Sequence, residues 1–284
     1  MDAAVMESVR GGGWGVAIGS GLATRVGDPA LGGDPYEMTL AAIDECVRNL
    51  VCVGADPDRI AILDNFCWPS CKKPENLASL VRACEGCYDG AKAYRTPFIS
   101  GKDSLNNQFT TADGTTIEIP PTLLITGVGI VEDITACVTM DAKRPGGSLV
   151  LVASADPADP RANAETARAV AAAISNGLVR AAHDVSDGGV LCAVAEMLIA
   201  GSTPEAPIGA EVDPDAMGDP FEERAGRYVL EIDDAMSEAF LARNGDRVSA
   251  IRLGRLRASR EFAIGGAAID VNDMAGAWLG TLDW

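Results

Sequence analysis

Tyr36-Glu-Met-Thr-Leu-Ala-Ala-Ile-Asp-Glu-Cys-Val-Arg-Asn-Leu-Val-Cys-Val-Gly54 is the stretch on which the fold turns. Leu40, Ile43, Val47, Leu50 and Val51 recur at helical spacing and Gly54 supplies a stop, so residues 36–54 are predicted to form a helix with an apolar face to bury. Short apolar or β-rich runs follow it: Ile60-Ala-Ile-Leu63, Pro97-Phe-Ile-Ser100 and a longer one from Leu123 to Val131. Leu77 to Tyr94 is helical in composition. The pattern restarts after Gly147, where Ser148-Leu-Val-Leu-Val152 predicts a strand, the alanine-rich 162–176 a helix, and Gly189 to Ala200 another helix ending at Gly201. Between the two parts, Asp133 to Gly146 carries charges, a proline and a glycine pair at its end, which places a domain boundary inside it. The expected class is α/β (α+β) in two domains, 1–133 and 145–284.

A length of 284 residues suits two domains of roughly 100–200 residues each. The 41 acidic residues against 23 basic ones give a net charge of −18, a field that repels a phosphate backbone and argues against nucleic acid as a partner. A small anion such as ATP remains compatible, because Mg2+ held by carboxylates inverts the local charge. No apolar run approaches the ~20 residues of a membrane helix. The start, Met1-Asp-Ala-Ala-Val, has no basic segment followed by an apolar one, so the expected location is the cytoplasm, with the eight cysteines reduced.

Four groups of residues have chemical potential. Glu45 and Asn49, four apart on the first helix, present two oxygen donors about 6 Å apart on one face. They read either as a solvated helix face or as half of a Mg2+ site. Gly101-Lys-Asp-Ser-Leu-Asn-Asn107, after the 97–100 strand, reads as a polar turn or as a phosphate loop in which Gly101 lets the backbone approach, Lys102 offers a charge and Ser104 a hydroxyl. Its glycine spacing is not that of a Walker A loop. In Ala182-His-Asp-Val-Ser-Asp-Gly-Gly189, Ser186 or Asp187 is expected to cap the helix that follows, which does not account for Asp184, a second carboxylate of the kind that a metal bound to phosphate would use. His183, the only histidine, reads as a structural hydrogen-bonding residue rather than a base. Cys67, Cys71, Cys84 and Cys87 have the look of a four-thiolate zinc site, against which stands the continuous helix that would carry the last two.

Asp34-Pro-Tyr with Ala42-Ile-Asp-Glu-Cys-Val-Arg-Asn-Leu50, Leu63-Asp-Asn-Phe-Cys-Trp68, Ile99-Ser-Gly-Lys-Asp-Ser-Leu-Asn-Asn107 and His183-Asp-Val-Ser-Asp-Gly-Gly189, taken in this order, resemble the phosphoribosylformylglycinamidine synthase family of the aminoimidazole ribonucleotide synthetase superfamily. The resemblance runs from about residue 2 to the C-terminus and is to the second of two tandem copies of a two-domain unit. It implies an N-terminal sheet domain that pairs with a homologous domain and a C-terminal α/β domain. The implied reaction is ATP-dependent: the formamide oxygen of formylglycinamide ribonucleotide is phosphorylated, and ammonia from glutamine then displaces phosphate to give the amidine.

By resemblance, Glu45, Asn49 and Asp184 match magnesium ligands and Asp2 a fourth, Ser186 matches a nucleotide contact, Asp64 and Gly101 match ATP contacts, and Ser104 a substrate contact. Lys102 departs from the short form of the enzyme, which has a metal-binding asparagine there; a protonated lysine cannot ligate a metal. The resemblance leaves open whether the bound nucleotide is catalytic or structural. The family's catalytic histidine has no match, so no catalytic residue is assigned. The strand at Asp-Ala-Ala-Val follows Met1 with none before it, and the chain is expected to be cut short at its start. It is expected to need an N-terminal half and a glutaminase domain or subunit, or to pair with a second copy. A non-catalytic nucleotide-binding module and a zinc-binding interaction domain are the rival readings.

Overall fold

Gly15–Leu22 and Thr122–Val131 bury every second residue, the period-two signature of strands with one covered face. They form the centre of the first of two units in the computed structural model, which describes residues 2–241 and 248–281. This unit comprises Ala3–Val51 and Ala55–Ile134; the other comprises Asp2, Cys52–Gly54 and the described residues from Thr135 onward.

In the first unit the elements run β1 (Ala4–Glu7), β2 (Gly15–Leu22), α1 (Thr24–Gly27), α2 (Pro35–Cys52), β3 (Ile60–Cys67), α3 (Pro74–Tyr94), β4 (Phe98–Ser104), β5 (Gln108–Thr110), β6 (Thr116–Glu118) and β7 (Thr122–Val131). Five strands make a sheet in the order β1-β2-β7-β3-β4, in which only β3 and β4 run parallel, while β5 and β6 form a separate hairpin. The 97–100 strand does not give way to a turn at Gly101: β4 continues through Ser104, because Asp64, Asn65, Phe66 and Cys67 of β3 carry on the parallel ladder with Gly101, Lys102, Asp103 and Ser104.

α2 lies on one face of this sheet, and missing side chains set how closely it sits. A Cβ on Gly21 of β2 would lie 2.1 Å from the Ala42 carbonyl oxygen, and one on Gly127 of β7 would lie 2.6 Å from a Leu50 methyl. α3 closes on α2 in the same way, since a Cβ on Gly86 would fall 2.8 Å from Thr39 Cβ. α2 is consequently buried nearly all round. From Met38 to Val51 only Ala41, Glu45 and Asn49 are not buried, a single stripe at helical spacing. Its buried polar pair, Asp44 and Arg48, bonds internally at 2.7 Å, and the Tyr94 hydroxyl donates to Asp44 at 2.5 Å. The opposite face of the sheet exposes the apolar side chains of Met6, Ile18 and Leu22.

In the second unit come β8 (Ser148–Ser154), α4 (Pro160–Ser175), β9 (Val179–Asp184), α5 (Gly189–Gly201), β10 (Gly209–Val212), β11 (Arg227–Ile232), α6 (Asp234–Leu241), β12 (Val248–Arg257), β13 (Glu261–Ile264), β14 (Ala267–Asp270) and α7 (Val271–Gly280). The sheet order is β14-β13-β10-β12-β8-β11-β9. Val190, Val194, Met197 and Leu198 of α5 and Val271 of α7 pack with Leu149, Leu151, Val229, Leu253, Leu256 and Phe262 of the sheet into one apolar core. The innermost strand, β8, is buried at every position, as a strand flanked on both edges and covered on both faces must be. No helix among the described residues is long and apolar enough to cross a membrane.

The seat of α2 yields a direct test. Gly21→Ala should destabilise the chain by about 2 kcal/mol or more, since an added methyl must push helix backbone off the sheet. Urea unfolding of the variant beside the wild type measures this, and an unchanged midpoint would show that the close approach does not constrain the helix.

Candidate functional site

Glu45 and Asn49 do not simply meet water. Glu45 Oε2 accepts the Leu22 backbone N–H at 2.9 Å, and Asn49 Nδ2 donates to the Ser20 carbonyl at 2.8 Å, so both side chains are held against the end of β2. With its nitrogen committed, the Asn49 amide presents its oxygen as the remaining acceptor. From Met38 to Val51 the stripe they occupy is the one part of α2 that is not buried, and it carries two hard donors held by backbone contacts.

Asp64 and Gly101 face each other across the β3–β4 pair. A Cβ on Gly101 would lie 2.4 Å from Asp64 Oδ1, so glycine is required for this carboxylate to stand where it does. Burial raises the Asp64 pKa and the nearby Asp103 charge adds to it, while the Lys102 N–H opposes them by bonding to the carboxylate. Gly21, Ile125, Asp64 and Gly101 are successive partners across β2, β7, β3 and β4. The two-strand step from Gly21, beneath Glu45, to Asp64 is about 10 Å. Lys102 projects to the other side of β4 and bonds the Ser104 hydroxyl, so an ammonium and a hydroxyl stand together on an exposed edge strand.

The second unit gathers the other candidates. Asp184 ends β9, and Asp2 reaches it from the start of the chain; donor atoms of Asp2, His183 and Asp184 lie within 4.8 Å of one another. His183 is hydrogen-bonded at both ring nitrogens, Nδ1 to Asp2 Oδ1 at 2.5 Å and Nε2 to Glu196 Oε2 at 2.6 Å. Burial alone would lower its pKa, but the bonds to Asp2 and Glu196 and the charges of Asp2 and Asp184 outweigh this and push it up to about 10. The imidazole spans two carboxylates, and with a hydrogen bond at each ring nitrogen it has none left for a metal. Asp2 Oδ2 is buried without a hydrogen-bond partner. A carboxylate oxygen in that state is unfavourable unless a cation meets it, and a second buried carboxylate alongside makes the donor set hard and anionic, which fits Mg2+.

One expectation is corrected. Neither Ser186 nor Asp187 caps α5: the cap is Gly188 in the left-handed region (φ 77°), with no side-chain bond, and Glu223 takes the Gly188 N–H instead. Gly189 must also be glycine, since a Cβ there would lie 2.7 Å from the Phe221 carbonyl carbon. Cys67, Cys71, Cys84 and Cys87 form no metal-holding cluster among the described residues. Cys67 and Cys71 turn to Asn65 and to the Pro69 carbonyl, and burial pushes the Cys87 thiol up to about 12. Glu196, which completes the second unit's cluster, was missed from the sequence. Its signal was there, for it is the only charged residue in Gly189–Gly201.

Family models for the N-terminal and C-terminal domains of AIR synthase related protein match residues 1–131 and 138–266. The phosphoribosylformylglycinamidine synthase subunit PurL of Parvibaculum lavamentivorans is 31% identical over 277 residues, 88% of this chain and 36% of that protein. Its counterpart in Deinococcus radiodurans is 32% identical over 265 residues, 82% of this chain and 34% of that protein. The chain thus spans about a third of the length of these curated relatives. Among solved structures, PurLQS from Thermotoga maritima superposes with a TM-score of 0.77 at 18% identity, covering 96% of this chain and 46% of that one. T. maritima PurL complexed with FGAR gives 0.75 at 16% identity, covering 96% and 47%. At such identities the likeness is one of fold.

The histidine supplies a pH test. Its folded value of about 10 lies above the ordinary histidine value of 6.5, so its contribution to stability is complete below that ordinary value and is lost as pH rises through the folded one. In the metal-free chain, the stability difference between wild type and His183→Gln should shrink steadily across that window. A difference that stays constant would show that the folded imidazole carries no extra proton.

Proposed function

The chain belongs to the AIR synthase related protein family, carrying its N-terminal and C-terminal domains in order, and from that premise we propose that it is the C-terminal part of a phosphoribosylformylglycinamidine synthase. The assembled enzyme would convert formylglycinamide ribonucleotide, ATP and glutamine-derived ammonia to the amidine. The observation that carries this reading is the buried pair Asp2 and Asp184, with the Asp2 Oδ2 lacking any partner, at positions where the resemblance places ligands of nucleotide-bound magnesium.

Asp2 and Asp184 would hold Mg2+ in the second unit; that Glu45 and Asn49 of the first unit are magnesium ligands as well is what the resemblance alone assigns. The ion would supply charge neutralisation at the phosphates. Glu45 and Asn49 arrive already oriented by Leu22 and Ser20, which lowers the ordering cost of binding. Asp64 and Gly101 make a close-fitting polar surface for the nucleotide, and Lys102 with Ser104 offers a cation and a hydroxyl to an anionic substrate. The reaction's logic is leaving-group activation: an amide oxygen departs poorly and a phosphorylated one well. No residue here is assigned to proton transfer, which falls to a part of the enzyme outside this sequence, as does ammonia supply from a glutaminase. The exposed apolar side chains of Met6, Ile18 and Leu22 on one sheet face suit pairing with a homologous domain.

Three outcomes follow for the purified chain. It should make no amidine from formylglycinamide ribonucleotide, ATP and ammonia; turnover comparable with an intact synthase would refute the partial-enzyme reading. Glu45→Ala and Asp184→Ala should each weaken Mg-nucleotide binding about tenfold or more in a calorimetric titration. Sedimentation at roughly tens of micromolar should reveal dimers or capture of a separately expressed N-terminal half; a monomer indifferent to that half would favour a self-sufficient module.

A further inference from the structure

Glu196 has no obvious place where it stands. α5 is otherwise uncharged and packs its apolar residues into the second unit's core, yet Glu196 turns its carboxylate to His183 Nε2. His183 in turn hands its Nδ1 side to Asp2 Oδ1. Asp2 lies in no strand or helix, two residues before β1, so no backbone ladder fixes its side chain. Even so, that side chain is only 1% exposed and its second oxygen has no partner. The bond to His183 is what sets the rotation of the carboxylate, and Glu196 is what sets the rotation of the ring.

We propose that Glu196 and His183 form a brace that aims Asp2 Oδ2 at a hard divalent cation, both being positioning residues and neither a ligand. The proposal rests on the metal reading of Asp2 and Asp184 given above. With both nitrogens engaged by carboxylates, the ring cannot bind the ion itself and can only orient the group that does. Outer partners of this kind ordinarily contribute about tenfold to a hundredfold in metal affinity, because an unbraced carboxylate must be ordered when the metal arrives. Glu196 is also the longer lever, since it acts on Asp2 through an intervening ring.

The test uses the whole chain and Mn2+ alone, with affinity read by electron paramagnetic resonance. Glu196→Ala should weaken Mn2+ about tenfold or more, and Glu196→Gln, whose amide oxygen still accepts from Nε2, should recover most of that. Equal affinity in wild type and both variants, with binding lost in Asp184→Asn, overturns the brace alone. Unchanged affinity in Asp184→Asn overturns the metal reading and the brace with it. A second measurement needs no variant: in the wild-type chain, nitrogen-detected NMR of the His183 ring should keep the Nδ1 proton when Mg2+ is added. Loss of that proton on metal addition, as direct ligation requires, would overturn the proposal even if Glu196→Ala fails to fold.

Discussion

The contact of α2 with the glycines beneath it governs the first unit. A helix can approach a sheet this closely only where side chains are absent from the strands, and Gly21 and Gly127 leave that space for Ala42, Cys46 and Leu50. Close approach brings the Glu45 carboxylate within hydrogen-bonding distance of the Leu22 N–H and the Asn49 amide within reach of the Ser20 carbonyl. It also confines the part of the helix from Met38 to Val51 that is not buried to one stripe, on which Glu45 and Asn49 stand. The stability of the helix and its chemistry follow from the same packing.

In the second unit the corresponding constraint is electrostatic. Carboxylates crowd the end of β9, and burying them costs far more than any packing returns unless positive charge is present. One cation is internal: the His183 imidazolium, held between Asp2 and Glu196. It leaves an oxygen of Asp2 unmatched, which is the state expected of a site completed by a ligand from outside. A net charge of −18 does not by itself exclude an anionic ligand, because a carboxylate-held cation inverts the local field.

Part of the first unit's surface has no cover within the chain. One face of the five-stranded sheet is apolar and uncovered, β4 is an exposed edge strand, and the chain spans about a third of its curated relatives. Edge strands and apolar faces of this kind are ordinarily covered by a partner.

The sequence by itself determined the local elements and the class of fold. The helix predicted over 36–54 is α2 within two residues at each end, the run from Leu123 to Val131 is β7, and Gly189 to Ala200 is α5, because apolar periodicity and glycine stops act over a few residues and survive any tertiary setting. What it left undetermined depended on neighbours distant in the chain. Gly101 to Ser104 has the composition of a turn yet forms strand, because a ladder with β3 overrides that preference. Asp187 has the composition of a cap, but two positive-φ glycines displace it from the role. The meeting of Asp2, His183 and Glu196 spans 181 and 13 residues of sequence and is invisible to any local pattern. Only the tertiary structure could decide it, because the charge balance of a buried site is settled by which side chains the fold brings within hydrogen-bonding distance.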